Sequence, residues 1–322
     1  MFILTVRNDG LGDLILSLPT LAALRRAHPA ARLGVVVRPQ QAPLLELYGD
    51  DVEVWPDVAE SAQRLKRDRP DVVLFLRPDR AWAARAFAAR VKRRIGTRHR
   101  WQSLFFNERV SVRRRDSGRH EAECNLQVAA PLGVAPTVPP VRLTVPERCR
   151  LSARTVLSGC GLSPGALYVV VHPGSHSSAP NWPAGHYAGL VQRLSELGKH
   201  VLVTGGTRER ELVRDVAGAL GHAVNPTELG TLAAVLQDAS TVVSGSTGPM
   251  HLAAALGVPV VALFSSRSPH APSRWGPLGD THRVLQCDPV VHADGTTDLA
   301  SLDPALVVRA VEAADRAPRV AT

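Results

Sequence analysis

Short runs of consecutive apolar residues alternate along this chain with longer stretches whose apolar positions recur every three or four residues, and this rhythm runs through the chain twice. In the first half, runs at 2–6, 33–37, 52–55 and 72–76 predict strands, and stretches at 58–67, 81–90 and 121–132 predict helices. Between the first two strands Leu14, Ile15, Leu18, Leu21, Ala22 and Leu24 share one helical face. Pro19 within that face predicts one turn, a kink and a second helical segment. Pro136, Pro139, Pro140 and Pro146 cluster where periodicity fades, which predicts one domain over 1–148 and another over 149–322. The second half gives strands at 167–171, 200–204, 258–264 and 282–286, with helices at 183–197, 208–220, 232–237 and 302–314. Such alternation predicts parallel sheets covered on both faces, two doubly wound α/β domains with ligands at the carboxyl ends of their strands.

Three loops at those ends carry polar residues. Residues 8–13 hold Gly10, Gly12 and Asp13, and residues 172–181 offer Ser175, His176, Ser177 and Ser178 beside a glycine. Residues 244–248 lead from a buried strand into a short helix with Pro249 in its first turn, where exposed amides and the helix dipole favour a phosphate or diphosphate. A strand–loop–helix corner that binds nothing fits the same residues. Gly205 and Gly206 follow another strand, and Glu209 is placed either to accept from ribose hydroxyls or to stabilise its own helix start. Two enzyme signatures nearly match. The loop after the first strand lacks the third small residue of a dinucleotide fingerprint, since Ile15 stands there, and Arg38 ends the next strand without an acid. The stretch 244–248 opens with Ser rather than the Gly of a nucleophile elbow. No Walker motif and no D-x-D triplet occurs.

Charge adds a second theme. The net charge is +9, and residues 85–119 alone hold twelve Lys or Arg against Glu108 and Asp116. Such a field attracts nucleic acid, an anionic membrane surface or a phosphorylated substrate; a solvated arginine-rich surface is the plainer alternative. The aromatics Trp101, Phe105 and Phe106 lie among these arginines and serve either as core or as a membrane or glycolipid contact. The longest apolar run, 252–264, is too short to cross a bilayer and is broken by Gly257 and Pro259. The first residues enter a strand pattern with no basic lead, so a cytoplasmic protein is expected. Cys124, Cys149, Cys160 and Cys287 are expected to be unpaired thiols, and Pro173 and Gly174 between His172 and His176 argue against zinc ligation.

Taken in order, several segments resemble glycosyltransferase family 9, the ADP-heptose:lipopolysaccharide heptosyltransferase family. They are GDLILSLP from Gly12 to Pro19, HPGS from His172, NWP from Asn181, VLVTGG from Val201 with Glu209 beyond it, and STGPMHLAAALG from Ser246 to Gly257. The resemblance runs through most of the chain. It implies a GT-B fold of two Rossmann-like domains facing a central cleft, the acceptor site in the first, the nucleotide-sugar site in the second, and a final helix packing back on the first domain. It implies Asp13 as the base that takes the acceptor proton, although capping its helix is the plain role of an Asp there. It further implies Ser175, His176, Ser177, Ser246, Thr247, Gly248 and His251 around the donor diphosphate and sugar, and Thr204, Gly205, Gly206, Glu209 and Leu229 around the nucleotide.

The expected activity is inverting, metal-independent transfer of a sugar, heptose from ADP-heptose first, to a lipopolysaccharide-type or other bacterial glycan. The expected partners are the nucleotide-sugar donor, an anionic glycan or glycolipid touching Arg113, Arg114 and Arg115, and the anionic inner membrane surface, without nucleic acid and without a cofactor. A sugar-nucleotide epimerase of similar architecture and a non-enzymatic nucleic-acid or anionic-surface binder are the alternatives. Two positions depart from the family pattern. Pro180 stands where many members have Lys, and Ser246 where many have Asp. Arg208, Arg267 and Arg274 are candidates to replace the missing cation, and Ser246 suggests a different sugar.

Overall fold

The first strand of the chain, β1 (Phe2–Val6), is buried along its whole length and lies at the centre of a six-stranded parallel sheet. Its neighbours are β2 (Arg32–Val37) and, across the switch in strand order, β4 (Val72–Phe75); β3 (Val52–Pro56) lies outside β2, and β5 (Arg93–Thr97) and β6 (Glu108–Val110) continue beyond β4. The structure is a computed structural model, and it describes residues 1–114, 118–175 and 179–316. Between β1 and β2 the helical stretch breaks into α1 (Leu11–Ile15) and α2 (Leu18–Ala27), as Pro19 predicts, with Pro19 in the first turn of the second piece. The remaining helices of this unit are α3 (Pro43–Tyr48), α4 (Ala59–Asp68), α5 (Arg80–Ala88) and α6 (Glu121–Ala129).

The second unit repeats the plan. Its helices are α7 (Glu147–Gly159), α8 (Ala184–Glu196), α9 (Arg210–Ala217), α10 (Leu229–Gln237), α11 (Gly248–Ala255), α12 (Pro272–Trp275) and α13 (Pro304–Asp315). Its strands β7 (Tyr168–His172), β8 (His200–Thr204), β9 (His222–Val224), β10 (Thr241–Gly245), β11 (Val260–Ser265) and β12 (Arg283–Cys287) are parallel and ordered β12-β11-β10-β7-β8-β9. Counted from its own first strand, each sheet therefore has the order 3-2-1-4-5-6. Strand order reverses between β1 and β4 and again between β7 and β10, and ligands of such sheets bind at the loops after those strands. The expected fold of two Rossmann-like doubly wound units is observed.

Three features bear on the expectations. The chain divides at Val141–Arg142, seven residues before the predicted boundary, because Leu143 already donates to the Ala255 carbonyl at 3.0 Å. The final helix was expected to pack on the first domain. Within its own unit, Val307, Ala310 and Val311 of α13 sit in the core with Trp182, Tyr187 and Leu190. Trp182 Nε1 donates to Leu302 O at 3.0 Å, and Asp315 receives Lys199 Nζ at 2.5 Å and Thr241 Oγ1 at 2.7 Å.

The third feature is the basic segment, which contains β5, β6 and a 3-10 turn over Trp101–Phe105. Arg93 makes a forked pair with Glu108 on the neighbouring strand, at 2.6 and 2.8 Å. Its three aromatics separate: Phe106 is core, stacked on Phe75 with ring centroids 4.7 Å apart and flush against Gly96, where a Cβ would overlap the ring. Trp101 is exposed.

Candidate functional site

In the first unit the loop leaving β1 is organised by a buried guanidinium. Arg7 is 2% exposed, and its Nη2 reaches Asp13 Oδ1 at 2.5 Å and Glu121 Oε1 at 3.3 Å, while Nε reaches Asp9 Oδ1 at 3.0 Å. Nη1 donates to the Leu76 carbonyl at the end of β4, at 3.2 Å. The switch-point loop is therefore tied to the neighbouring strand and to α6. Arg114 enters the same cluster, donating to Glu121, to Asn125 Oδ1 at 3.1 Å and to Leu76 O at 2.8 Å. Burial opposes the Arg7 charge, but Asp9, Asp13 and Glu121 outweigh it and hold the guanidinium above its ordinary value. Asp13 lies in α1 and its side chain is 29% exposed. Gly10 permits this placement, since a Cβ there would come within 2.8 Å of Asp13 Oδ2. A carboxylate with one oxygen held by arginine and a face open to solvent can receive a proton from a bound hydroxyl.

Asn8 fixes the other side of the loop. Its amide nitrogen donates to Asp57 at 2.7 Å and Asp79 at 3.2 Å, and its amide oxygen and carbonyl both receive Arg77 at 3.1 Å. Asp79 also caps α5 by accepting from the Trp82 amide.

Asp9 has an unusual state. Burial lifts its pKa to about 6, against the pull of Arg7 and with the Asp13 charge adding to the rise. An acid whose folded pKa exceeds its unfolded one binds its proton more tightly when folded. The wild-type chain should therefore gain stability relative to Asp9→Asn as pH falls from 8 through 6 towards 4, by on the order of 2 kcal/mol. Urea denaturation of both proteins at pH 8 and pH 4.5 checks this; a constant difference between the two curves would refute it.

Beyond β4, β5 and β6 the same unit forms a cavity of about 720 Å³ whose walls include Arg77, His99, Arg100, Trp101, Arg113 and Arg114. Two of the three arginines expected to touch the acceptor thus line one basic cavity, and Arg114 joins it to the Arg7 cluster. Arg115 lies outside the described residues.

In the second unit the loops after β7 and β10 meet. Asn181 donates to the Pro173 carbonyl at 2.6 Å and accepts from Tyr187 Oη at 3.0 Å, and it lies so close to Gly245 that a Cβ there would come within 2.7 Å of its amide oxygen. His172 Nδ1 shares a hydrogen bond of 3.1 Å with Thr204 Oγ1 at the end of β8. Glu209 accepts from the Gly206 amide at 2.7 Å, so the capping role is present. Its carboxylate also packs against Gly174, where a Cβ would overlap it. Asn225 donates to the carbonyls of Gly205 and Gly206 at 3.0 and 3.2 Å and holds the glycine turn. Thr204, Gly205, Gly206 and Glu209 are in this way gathered beside the loop that begins at His172. Leu229 opens α10 and is half-buried.

Thr247 is the N-cap of α11, yet its hydroxyl pairs with Ser244 Oγ at 2.9 Å and makes no cap to its own helix. The first-turn amides of α11, next to Gly248, are left without that side-chain acceptor, the arrangement an anion exploits. Ser246 is half-buried in the loop, and His251 is buried one turn along the helix. Ser175 is described; His176 and Ser177 lie outside the described residues. Of the candidate replacement cations, Arg267 pairs with Asp288 at 3.3 Å, Arg274 lies over the Trp275 ring, and Arg208 is exposed on the turn that carries Glu209. Among the described residues no three His, Cys, Asp or Glu side chains converge as a metal-ligand set, and no disulfide joins any of the four cysteines.

The sequence reading missed Arg7, Asp9, Asp57, Asp79, Glu121 and Asn125. One local signal existed: Arg7 is a charge set directly at the end of a strand that is apolar but for Thr5, a position where burial requires pairing.

Comparison with known proteins bears on both units. A glycosyltransferase family 9 structure from Veillonella parvula matches with TM-score 0.81 at 22% identity, covering 98% of this chain and 97% of that one. The Escherichia coli ADP-heptose LPS heptosyltransferase II structure also gives 0.81 at 22% identity, with 98% of each chain covered. These likenesses establish the GT-B fold. Lipopolysaccharide heptosyltransferase 3 of Escherichia coli is 25% identical over 284 residues, 79% of this chain and 81% of its own. The family model described as glycosyltransferase family 9 (heptosyltransferase) matches residues 58–294, most of the chain, and the protein therefore belongs to that family of glycosyltransferases.

Proposed function

We propose that this glycosyltransferase moves heptose from ADP-heptose onto an anionic, lipopolysaccharide-type glycan, with inversion and without a divalent metal, in the cytoplasm at the inner face of the cell membrane. The observation that carries the reading is that both switch points are prepared for the two halves of such a reaction. In the second unit, α11 begins without a side-chain cap, and the Gly205–Gly206 turn is braced by Asn225 and Glu209. The α11 amides then receive the diphosphate and the glycine turn the nucleoside, with Glu209 near the ribose. Ser175, His176, Ser177, Ser246 and His251 complete the sugar and diphosphate surroundings, and Leu229 the nucleotide's. In the first unit, Asp13 stands in one cluster with a basic cavity suited to an acceptor bearing carboxylate or phosphate.

In the reaction, the acceptor hydroxyl oxygen attacks the anomeric carbon as the bond from that carbon to the ADP oxygen breaks on the opposite face. Arg7 holds Asp13 Oδ1, and Oδ2 takes the hydroxyl proton as the attacking oxygen acidifies. Negative charge gathering on the departing diphosphate is stabilised by the amides at the start of α11.

Calorimetric titration with ADP, UDP, GDP and their sugars, followed by a transfer assay on a carboxylate- or phosphate-bearing glycan, tests the reading. ADP and ADP-heptose should bind most tightly, with one ADP released for each sugar transferred. Preference for UDP, or appearance of an epimerised donor without transfer, would overturn it.

A further inference from the structure

One surface of the first unit is neither core nor part of the Asp13 cluster. Phe87 at the end of α5 and Trp101 on the following 3-10 turn are each 53% exposed, and Leu104 on the same turn is 72% exposed. They form one patch rather than scattered residues. Phe105 lies edge-on to both rings, with centroids 5.9 Å from Phe87 and 6.5 Å from Trp101. Cations frame it: the Arg80 guanidinium stands 5.1 Å from the Trp101 centroid, and that of Arg94 stands 5.3 Å from Phe87. Arg94 Nε also donates to the Phe105 carbonyl at 2.7 Å, pinning the turn beneath the patch. Arg90, whose amide donates to the Phe87 carbonyl at 2.9 Å, and Lys92, two residues on, are both exposed. From residue 80 to residue 107 the chain carries eight Lys or Arg and no Asp or Glu.

We propose that this patch is a docking surface for an anionic lipid bilayer, with Trp101, Leu104 and Phe87 entering the interface and the surrounding arginines and Lys92 resting on lipid phosphates. Exposed Trp and Leu beside cations match the boundary between headgroups and acyl chains, where the indole and the aliphatic tip leave water while each nearby charge gains attraction. A nucleic-acid surface would use the cations but would gain nothing from the protruding Leu104. Trp101 also lines the basic cavity, so a glycan anchored in the bilayer would meet that cavity beside the docked surface. Only this last step rests on the proposed acceptor; the docking itself stands on the patch.

The test is co-sedimentation of the full chain with phosphatidylcholine vesicles made with and without phosphatidylglycerol. Wild type should bind the anionic vesicles and be released by salt. Leu104→Asp should weaken partitioning by about tenfold or more, from the lost apolar burial and the added negative charge. The double variant Arg90→Gln, Lys92→Gln should do so by a similar factor. None of these three positions belongs to the Asp13 cluster, so sugar transfer to a water-soluble acceptor and thermal stability should remain at wild-type values. Loss of binding is thereby read separately from loss of catalysis. Absence of wild-type binding to anionic vesicles, undiminished binding by Leu104→Asp, or salt-sensitive capture of an oligonucleotide in place of vesicles would each overturn the proposal.

Discussion

Asp13→Asn is expected to lower kcat by roughly 10²–10⁴-fold, the range a positioned general base contributes, while the protein folds normally. The side chain keeps its size, and Arg7 keeps Asp9 and Glu121 as partners, so the cluster loses one of three acids. Donor binding should hardly change, because the α11 start and the Gly205–Gly206 turn belong to the second unit. The signature is therefore a fall in kcat and kcat/KM together at an unaltered ADP dissociation constant, which marks an interaction used only in the transition state. Stopped assays of ADP release, with calorimetric ADP titration of the variant, check both halves. Near-wild-type turnover in a folded variant removes Asp13 from the base role and leaves it as a ligand of Arg7.

The elements that sequence revealed and those it concealed differ in where their side chains point. Buried parallel strands are apolar on both faces, so 72–75 and 260–264 stand out as continuous runs and 2–6 as a run broken only by Thr5, and glycine or proline beyond their ends marks the loops that matter. The Thr247–Gly248 corner and the Asn8–Asp13 loop are legible for that reason. The strands β5 and β6 lie towards the edge of their sheet and carry arginines whose partners are on the next strand, as with Arg93 and Glu108, so no apolar run announces them. The C-terminal helix shows why an amphipathic face is incomplete information: Val307 and Val311 predict burial, but what they bury against is a property of the assembled sheet. The Arg7 cluster is hidden by distance along the chain. Glu121 and Asn125 are brought to Arg7 across 114 and 118 residues by the docking of α6, and no local spacing encodes that meeting.

That cluster carries the second large effect. Arg7→Met should destabilise the protein by about 3–5 kcal/mol, the cost of removing one partner from a buried ionic network. Methionine fills much of the arginine's volume, so a cavity contributes little and the loss is electrostatic. Asp9 and Asp13 lose their shared cation, and Glu121, itself 2% exposed, loses Arg7 while Arg114 stays beside it. The sign of the pH dependence follows. Asp9 already titrates at about 6 with Arg7 in place, and without that cation its proton is held more tightly still. The destabilisation should therefore shrink as pH falls from 8 towards 5, because the stranded carboxylate is neutralised in the folded variant. Arg7→Lys should lie between the two proteins at pH 8, keeping the charge but not the fork that reaches Leu76, Asp9 and Asp13 at once. Urea denaturation of the three proteins at both pH values decides the matter: a loss below about 1 kcal/mol at pH 8, or one that grows on acidification, would show that the guanidinium is not what holds the β1 loop and Asp13 in place.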